Sequence, residues 1–110
     1  MQIKFKINGQ NWKIRTVNSE EMREQRADGD FAGLCVPKDR MIYIDHDNVD
    51  YETISHELFH AFFNYLHLDD TVDLSIGNFE EIMASWFCSN ADEVVKKARQ
   101  LTRQLQRGEE

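Results

Sequence analysis

His56-Glu57-Leu58-Phe59-His60 places two imidazoles four residues apart with a carboxylate beside the first. On a helix, residues four apart share a face, one turn above the other. His56 and His60 can therefore offer two nitrogen donors to one metal ion, and zinc is the ion this donor set suits. Glu57 lies about 100° round the helix from His56, near such an ion but out of line with the two donors. A carboxylate so placed can take a proton from a water molecule and later return it to a leaving amine. The five-residue pattern is short and chance matches occur, so its helical setting gives it weight. Ile54, Leu58, Ala61, Phe62, Tyr65 and Leu66 supply an apolar face around it. The competing reading is two exposed histidines on an amphipathic helix.

Catalytic zinc usually takes three protein ligands and leaves a fourth position for water. His67 shares the face of His60 but falls one residue off a His-rich spacing, and no glycine precedes it in the helix. Asp69, Asp70 and Asp73 are loop carboxylates that ordinarily face water. The pair Glu80-Glu81 is helical. An apolar stripe through Met83, Ala84, Phe87, Ala91, Val94, Ala98, Leu101 and Leu105 extends back to Glu80, whereas Glu81 falls with Ser85, Cys88 and Asp92. A carboxylate facing a core is costly unless paired or metal-bound, so this periodicity favours Glu80 as the third ligand.

The elements that must position these groups are legible as patterns. Gln2 to Ile7 alternates, as do Trp12, Ile14 and Thr16, and Asn8-Gly9 between them is a favoured hairpin turn. Asn18 with Glu21 three residues on predicts a short helix to about Arg26, ended by Asp28-Gly29-Asp30. Strands are expected at Phe31–Val36 and Met41–Asp45, joined through Pro37-Lys38-Asp39-Arg40. A capping residue among Asp47, Asn48 and Asp50 should start a long helix over about Tyr51 to His67. Asp69 to Asn78 reads as an acidic loop. A second long helix should run from about Phe79 to Gln106, with a bend around Ser89-Asn90. Gly33 admits close approach of another backbone or marks a bulge.

The run from His56 to Phe62, followed by Glu80-Glu81-Ile82-Met83-Ala84-Ser85-Trp86-Phe87, resembles small gluzincin-type metallopeptidases of bacteria and their phages. The ImmA/IrrE group and the minigluzincins are the nearest of these. Gly33-Leu34-Cys35 and Met41-Ile42-Tyr43-Ile44 are similar to the strands before the metal helix in short phage-encoded members. The resemblance spans roughly residues 31 to 91. It implies an α+β, zincin-like fold: a small antiparallel-rich sheet, an active-site helix and a C-terminal glutamate helix. By analogy with zincins, an extended peptide substrate would pair with an edge strand, here Phe31–Val36. Two positions depart from the pattern. Ala84 stands where gluzincins often carry an Asp or Asn four residues after the ligand glutamate. No His or Tyr follows His67 to stabilise an oxyanion, which leaves zinc itself, Arg99, His46 or Tyr43 for that role.

The 110 residues form one expected domain over 1–110, with 41% apolar and 30% charged residues. The net charge of −7 argues against general nucleic-acid binding. Lys96, Lys97, Arg99, Arg103 and Arg107 cluster near the C-terminus, as suits a solvated helix face. The N-terminal alternation lacks the apolar core of a signal peptide, and no run approaches a membrane span. Cys35 and Cys88 are not in a CxxC pair and read as reduced, buried structural thiols of a cytoplasmic protein. The expected function is zinc-dependent hydrolysis of peptide bonds in a protein substrate. His56, His60 and Glu80 would bind Zn2+, with Glu57 as general base. The alternative is a non-enzymatic zinc-binding module on the same scaffold. A DNA-associated regulator would need a groove-reading element that is not evident. Substrate identity and oligomeric state have no signature in the sequence.

Overall fold

The structure, a computed structural model of the chain, describes residues 1–25, 32–64 and 76–108. Strands β1 (Gln2–Ile7) and β2 (Gln10–Val17) form the expected hairpin. Asn8 and Gly9 both take positive φ, 49° and 80°, which a two-residue turn matching the strand twist requires. Helix α1 (Ser19–Gln25) begins where the Asn18 side chain accepts the Glu21 backbone N–H at 2.8 Å. The Glu21 carboxylate pairs with Arg15 at 3.2 Å. Strands β3 (Gly33–Val36) and β4 (Met41–Asp45) follow, joined by a 3-10 turn at Pro37–Asp39 and by Arg40 in the left-handed region. Phe31 and the Asp28-Gly29-Asp30 stop lie outside the described residues, so β3 is seen from Gly33 onward. A second 3-10 turn, His46–Asn48, leads to helix α2 (Tyr51–Asn64), and helix α3 spans Ile76–Arg107.

The fold is α+β with a four-stranded mixed sheet in the order β1-β2-β4-β3. Two of its three pairings are antiparallel, β1 with β2 and β3 with β4. The central pairing, β2 with β4, is parallel, with Ile14 opposite Ile42 and Thr16 opposite Ile44. Alternation sends Ile3, Phe5, Ile7, Trp12, Ile14, Ile42 and Ile44 to one face. There they meet Ile54, Leu58, Ala61 and Phe62 of α2, and Trp86, Val94, Ala98, Leu101 and Leu105 of α3, in one core. Removing a fully buried side chain such as Leu58 by substitution to Ala should cost about 2–5 kcal/mol. Lys4, Lys6, Lys13 and Arg15 are exposed, and strand alternation puts them on the opposite face.

Helix α3 differs from expectation at its start and in its buried stripe. It starts at Ile76, so Ile76, Gly77 and Asn78 are helical rather than part of a loop, and it is continuous through Ser89-Asn90. Its buried stripe also changes phase. Val94, Ala98, Leu101 and Leu105 are buried as the periodicity predicts, but Phe87 on the same line is 64% exposed and Ala84 is exposed. Trp86 is buried instead, because it packs edge-on against Phe59 and Phe63 of α2, with ring centroids 5.0 and 6.1 Å apart. The C-terminal half of α3 thus packs by its aliphatic stripe, and among the described side chains of the N-terminal half Trp86 is the buried one. Among the described residues, no helix is long and apolar enough to cross a membrane.

Candidate metal and general-base site

Helix α2 begins at a capped end. The Asp50 side chain accepts the Thr53 N–H at 2.8 Å, and the Asp50 carbonyl accepts the Ile54 N–H at 3.1 Å. At the same end, the Gln106 side chain of α3 donates to the Val49 carbonyl at 2.9 Å. The buried positions of the helix are Ile54, Glu57, Leu58, Ala61 and Phe62. Their spacing is the core face of an amphipathic helix, and Glu57 is its one carboxylate. His56 and His60 fall on the exposed shoulder of that face.

The two histidines converge. Their Nε2 atoms are 3.3 Å apart, and the rings meet edge to face with centroids 4.9 Å apart. A zinc ion bound tetrahedrally by two imidazoles at about 2.0–2.1 Å would hold its two nitrogens about 3.3–3.4 Å apart. The observed separation therefore fits a shared metal ion. Without a metal, the same distance lets one ring N–H donate to the other ring's lone pair.

Glu57 is 7% exposed although its type is normally charged. It lies against edge strand β3, with its Cγ, Cδ and Oε2 occupying the space that a side chain at Gly33 would need. Gly33 thus makes room for the Glu57 side chain, not the backbone expected, and its pairing with Ile44 continues the β3–β4 register without a bulge. A cavity of about 270 Å³ opens beside it, lined by Ala32, Gly33, Glu52, Thr53, His56 and Glu57. Cys35, half-buried two residues along β3, has its thiol pushed up to about 12 by burial and, secondarily, by the Glu57 charge. It is a free thiol, as is Cys88, which is exposed on α3 rather than buried as expected.

Glu80 and Glu81 lie near the start of α3 and both are exposed, as is Ala84 one turn on, so Glu80 does not continue a core-facing stripe and burial does not separate the pair. Nor do His56, His60 and Glu80 come together within 4.8 Å of one another. Glu80 stands six residues before Trp86, about 9 Å along the helix axis. Glu81 lines a shallow depression with Ile82, Ser85, Trp86, Ser89 and Asn90. His67, Asp69, Asp70 and Asp73 lie outside the described residues. Among the described residues, the group that brings three possible donors within 4.8 Å of one another is Asp45, His46 and Asp47. Local turn geometry accounts for it. Asp45 caps the 3-10 turn by accepting the Asp47 N–H at 3.0 Å, and His46 lies 3.3 Å from the Val17 carbonyl and 3.2 Å from the Asp47 carboxylate. Of the oxyanion candidates, Tyr43 alternates with buried Ile42 and Ile44 and so faces away from α2, and His46 is held in this turn.

No family model matches the chain, and neither curated proteins nor solved structures yield a match. The functional reading therefore rests on the site itself. Sequence reasoning placed Glu57 beside the histidines but missed its burial. The signal was present, since Glu57 follows Ile54 by three residues and precedes Ala61 by four, on the face that Leu58 and Phe62 share.

Proposed function

We propose that the chain is a zinc-dependent peptidase of zincin-like type, acting on a peptide or protein substrate. The observation that carries this reading is the 3.3 Å separation of the His56 and His60 Nε2 atoms, at chelate spacing on the helix that also presents Glu57. His56 and His60 would hold the ion. Glu80 is the proposed third ligand, supported by its being a carboxylate on the helix that packs against α2 through Trp86. Zinc bound there would supply a Lewis acid that polarises a carbonyl and makes a water molecule more acidic.

The chain's own residues supply the rest. Glu57 takes the proton of the attacking water on a carboxylate oxygen and delivers it to the amine nitrogen as the peptide bond breaks. Its burial against β3 places the side chain at the cavity wall. The cavity leaves room beside the base for a substrate group. Strand β3 is a sheet edge, paired only with β4 among the described strands, and an extended peptide could add to its free side. Two free thiols suit a reducing compartment such as the cytoplasm.

The deciding experiment measures zinc content and cleavage for wild type and Glu57→Gln, against a proteome-derived peptide library and whole-lysate substrates. The expected result is unchanged zinc and a loss of cleavage of about 10²–10⁴-fold, the usual contribution of general-base catalysis. Retention of both zinc and full cleavage by the variant would overturn the mechanism. Wild-type protein that takes up no zinc would overturn the metal reading.

A further inference from the structure

Gly33 has no backbone reason to be glycine. The positive-φ glycines among the described residues are Gly9 and Gly108, and Gly33 is an ordinary strand residue paired with Ile44. What distinguishes it is the side chain across from it. A Cβ built on Gly33 would stand 2.8 Å from Glu57 Cγ, 3.1 Å from Oε2 and 3.2 Å from Cδ. Carbon–carbon contacts settle at about 3.5–4.0 Å, so a methyl group here cannot coexist with Glu57 as placed.

One of the two must yield, and the backbone is the less free to do so. Gly33 is in register with fully buried Ile44, and the preceding Ala32 carbonyl accepts the Asp45 N–H at 2.8 Å. Glu57 is the group that would have to shift, since a glutamate side chain has alternative rotamers and one wall of its site is an open cavity.

We propose that Gly33 is a positioning residue for Glu57. By leaving its Cβ volume empty, it lets the glutamate lie flat on edge strand β3, with its carboxylate fixed at the cavity wall beside His56. This rests on the reading of Glu57 as the general base, but the packing relationship is testable without activity.

The test combines Gly33→Ala with Glu57→Ala and Glu57→Gln in the full chain. Thermal unfolding comes first. Gly33→Ala should lower the midpoint in the wild-type background and lower it by less than half as much in the Glu57→Ala background, where the obstructing atoms are gone. If Gly33→Ala alone fails to fold, recovery of a folded double variant gives the same support. Equal losses in both backgrounds, or failure to fold in both, would overturn the proposal.

The second readout is the rate at which iodoacetamide modifies Cys35, measured in a Cys88→Ser background. Glu57→Gln should raise it several-fold, because the nearby negative charge disfavours the thiolate. Gly33→Ala should raise it too, by displacing that charge, and should add nothing on top of Glu57→Ala, where both the charge and the obstructing atoms are gone. An added increase there would mean that the strand has merely loosened, and would overturn the positioning role. With zinc and a cleavable substrate, Gly33→Ala should keep its metal and lose cleavage at least tenfold. Loss of cleavage coupling with the stability and alkylation coupling intact would instead count against Glu57 as the base and leave the packing assignment standing.

Discussion

The distinctive residues of this chain are a carboxylate placed where a hydrophobe would be expected and a thiol beside it. Glu57 occupies a core-facing position of α2, and burying such a group is costly unless something holds it. Cys35 registers the consequence. Its thiol is pushed up to about 12 by burial and the Glu57 charge, so it should be unreactive. From an ordinary value of 9.0 to about 12, its thiolate fraction near neutral pH falls by roughly a thousandfold, and Cys35 should be alkylated far more slowly in the folded protein than in the denatured chain. The stability consequence has a definite sign. The folded state holds the proton more tightly than the unfolded chain, so this contribution is fully present below pH 9.0 and is lost as pH rises toward about 12. Comparing unfolding midpoints of wild type and Cys35→Ala against pH should give a constant difference below that window. Within it, wild type should lose stability faster than the variant. A difference that stays flat to pH 12 would show that Cys35 is not held neutral by the fold.

Among the elements, α2 carries the histidine pair and α3 the proposed third ligand. Helix α2 carries both imidazoles on one rigid turn, fixed by the Asp50 cap and by Leu58 and Phe62 in the core. Helix α3 is anchored to it by Trp86 on Phe59 and Phe63, one and two turns before which come Ile82, Glu81 and Glu80. If Glu80 supplies the third donor, Glu80→Gln should weaken zinc binding at least tenfold, while Glu81→Gln changes it little. A carboxylate is a far better zinc ligand than a neutral amide, which fixes the direction. Competition with a chromophoric chelator measures both variants. A larger effect at Glu81 would move the ligand to the neighbouring strip, which lines the Ile82-Ser85-Trp86 depression.

At the scale of the whole molecule, a metal bound only by the folded chain must stabilise it. The gain is RT ln(1 + [L]/Kd), about 2.7 kcal/mol at a free zinc concentration of 100 Kd. For a domain of this size, each kcal/mol moves the midpoint by about 4–8 °C, so saturating zinc should raise it by roughly 10–20 °C. The His56→Ala/His60→Ala variant should show no such rise. Calorimetry with and without zinc checks this, and an equal rise in the double variant would place any bound zinc elsewhere, with Asp45, His46 and Asp47 the first group to examine.

Local chemistry in the sequence determined much of this architecture. Asn8-Gly9 turned the hairpin because both residues tolerate positive φ, Asn18 and Asp50 capped helices with their own side chains, and Met41 to Asp45 alternated as a strand. The histidine pair was equally legible, since helical spacing alone brings His56 over His60. The tertiary structure decided what depends on partners distant in sequence. It inserted β4 beside β2 in parallel, because the buried faces of Ile14 and Ile42 could share one core. It buried Trp86 and exposed Phe87, because only the indole reached Phe59 and Phe63. It also set Glu57 against Gly33, a contact between a helix and an edge strand that lie 24 residues apart in the chain. Periodicity records which way a side chain points from its own helix. What it meets there is fixed by the packing of the other elements.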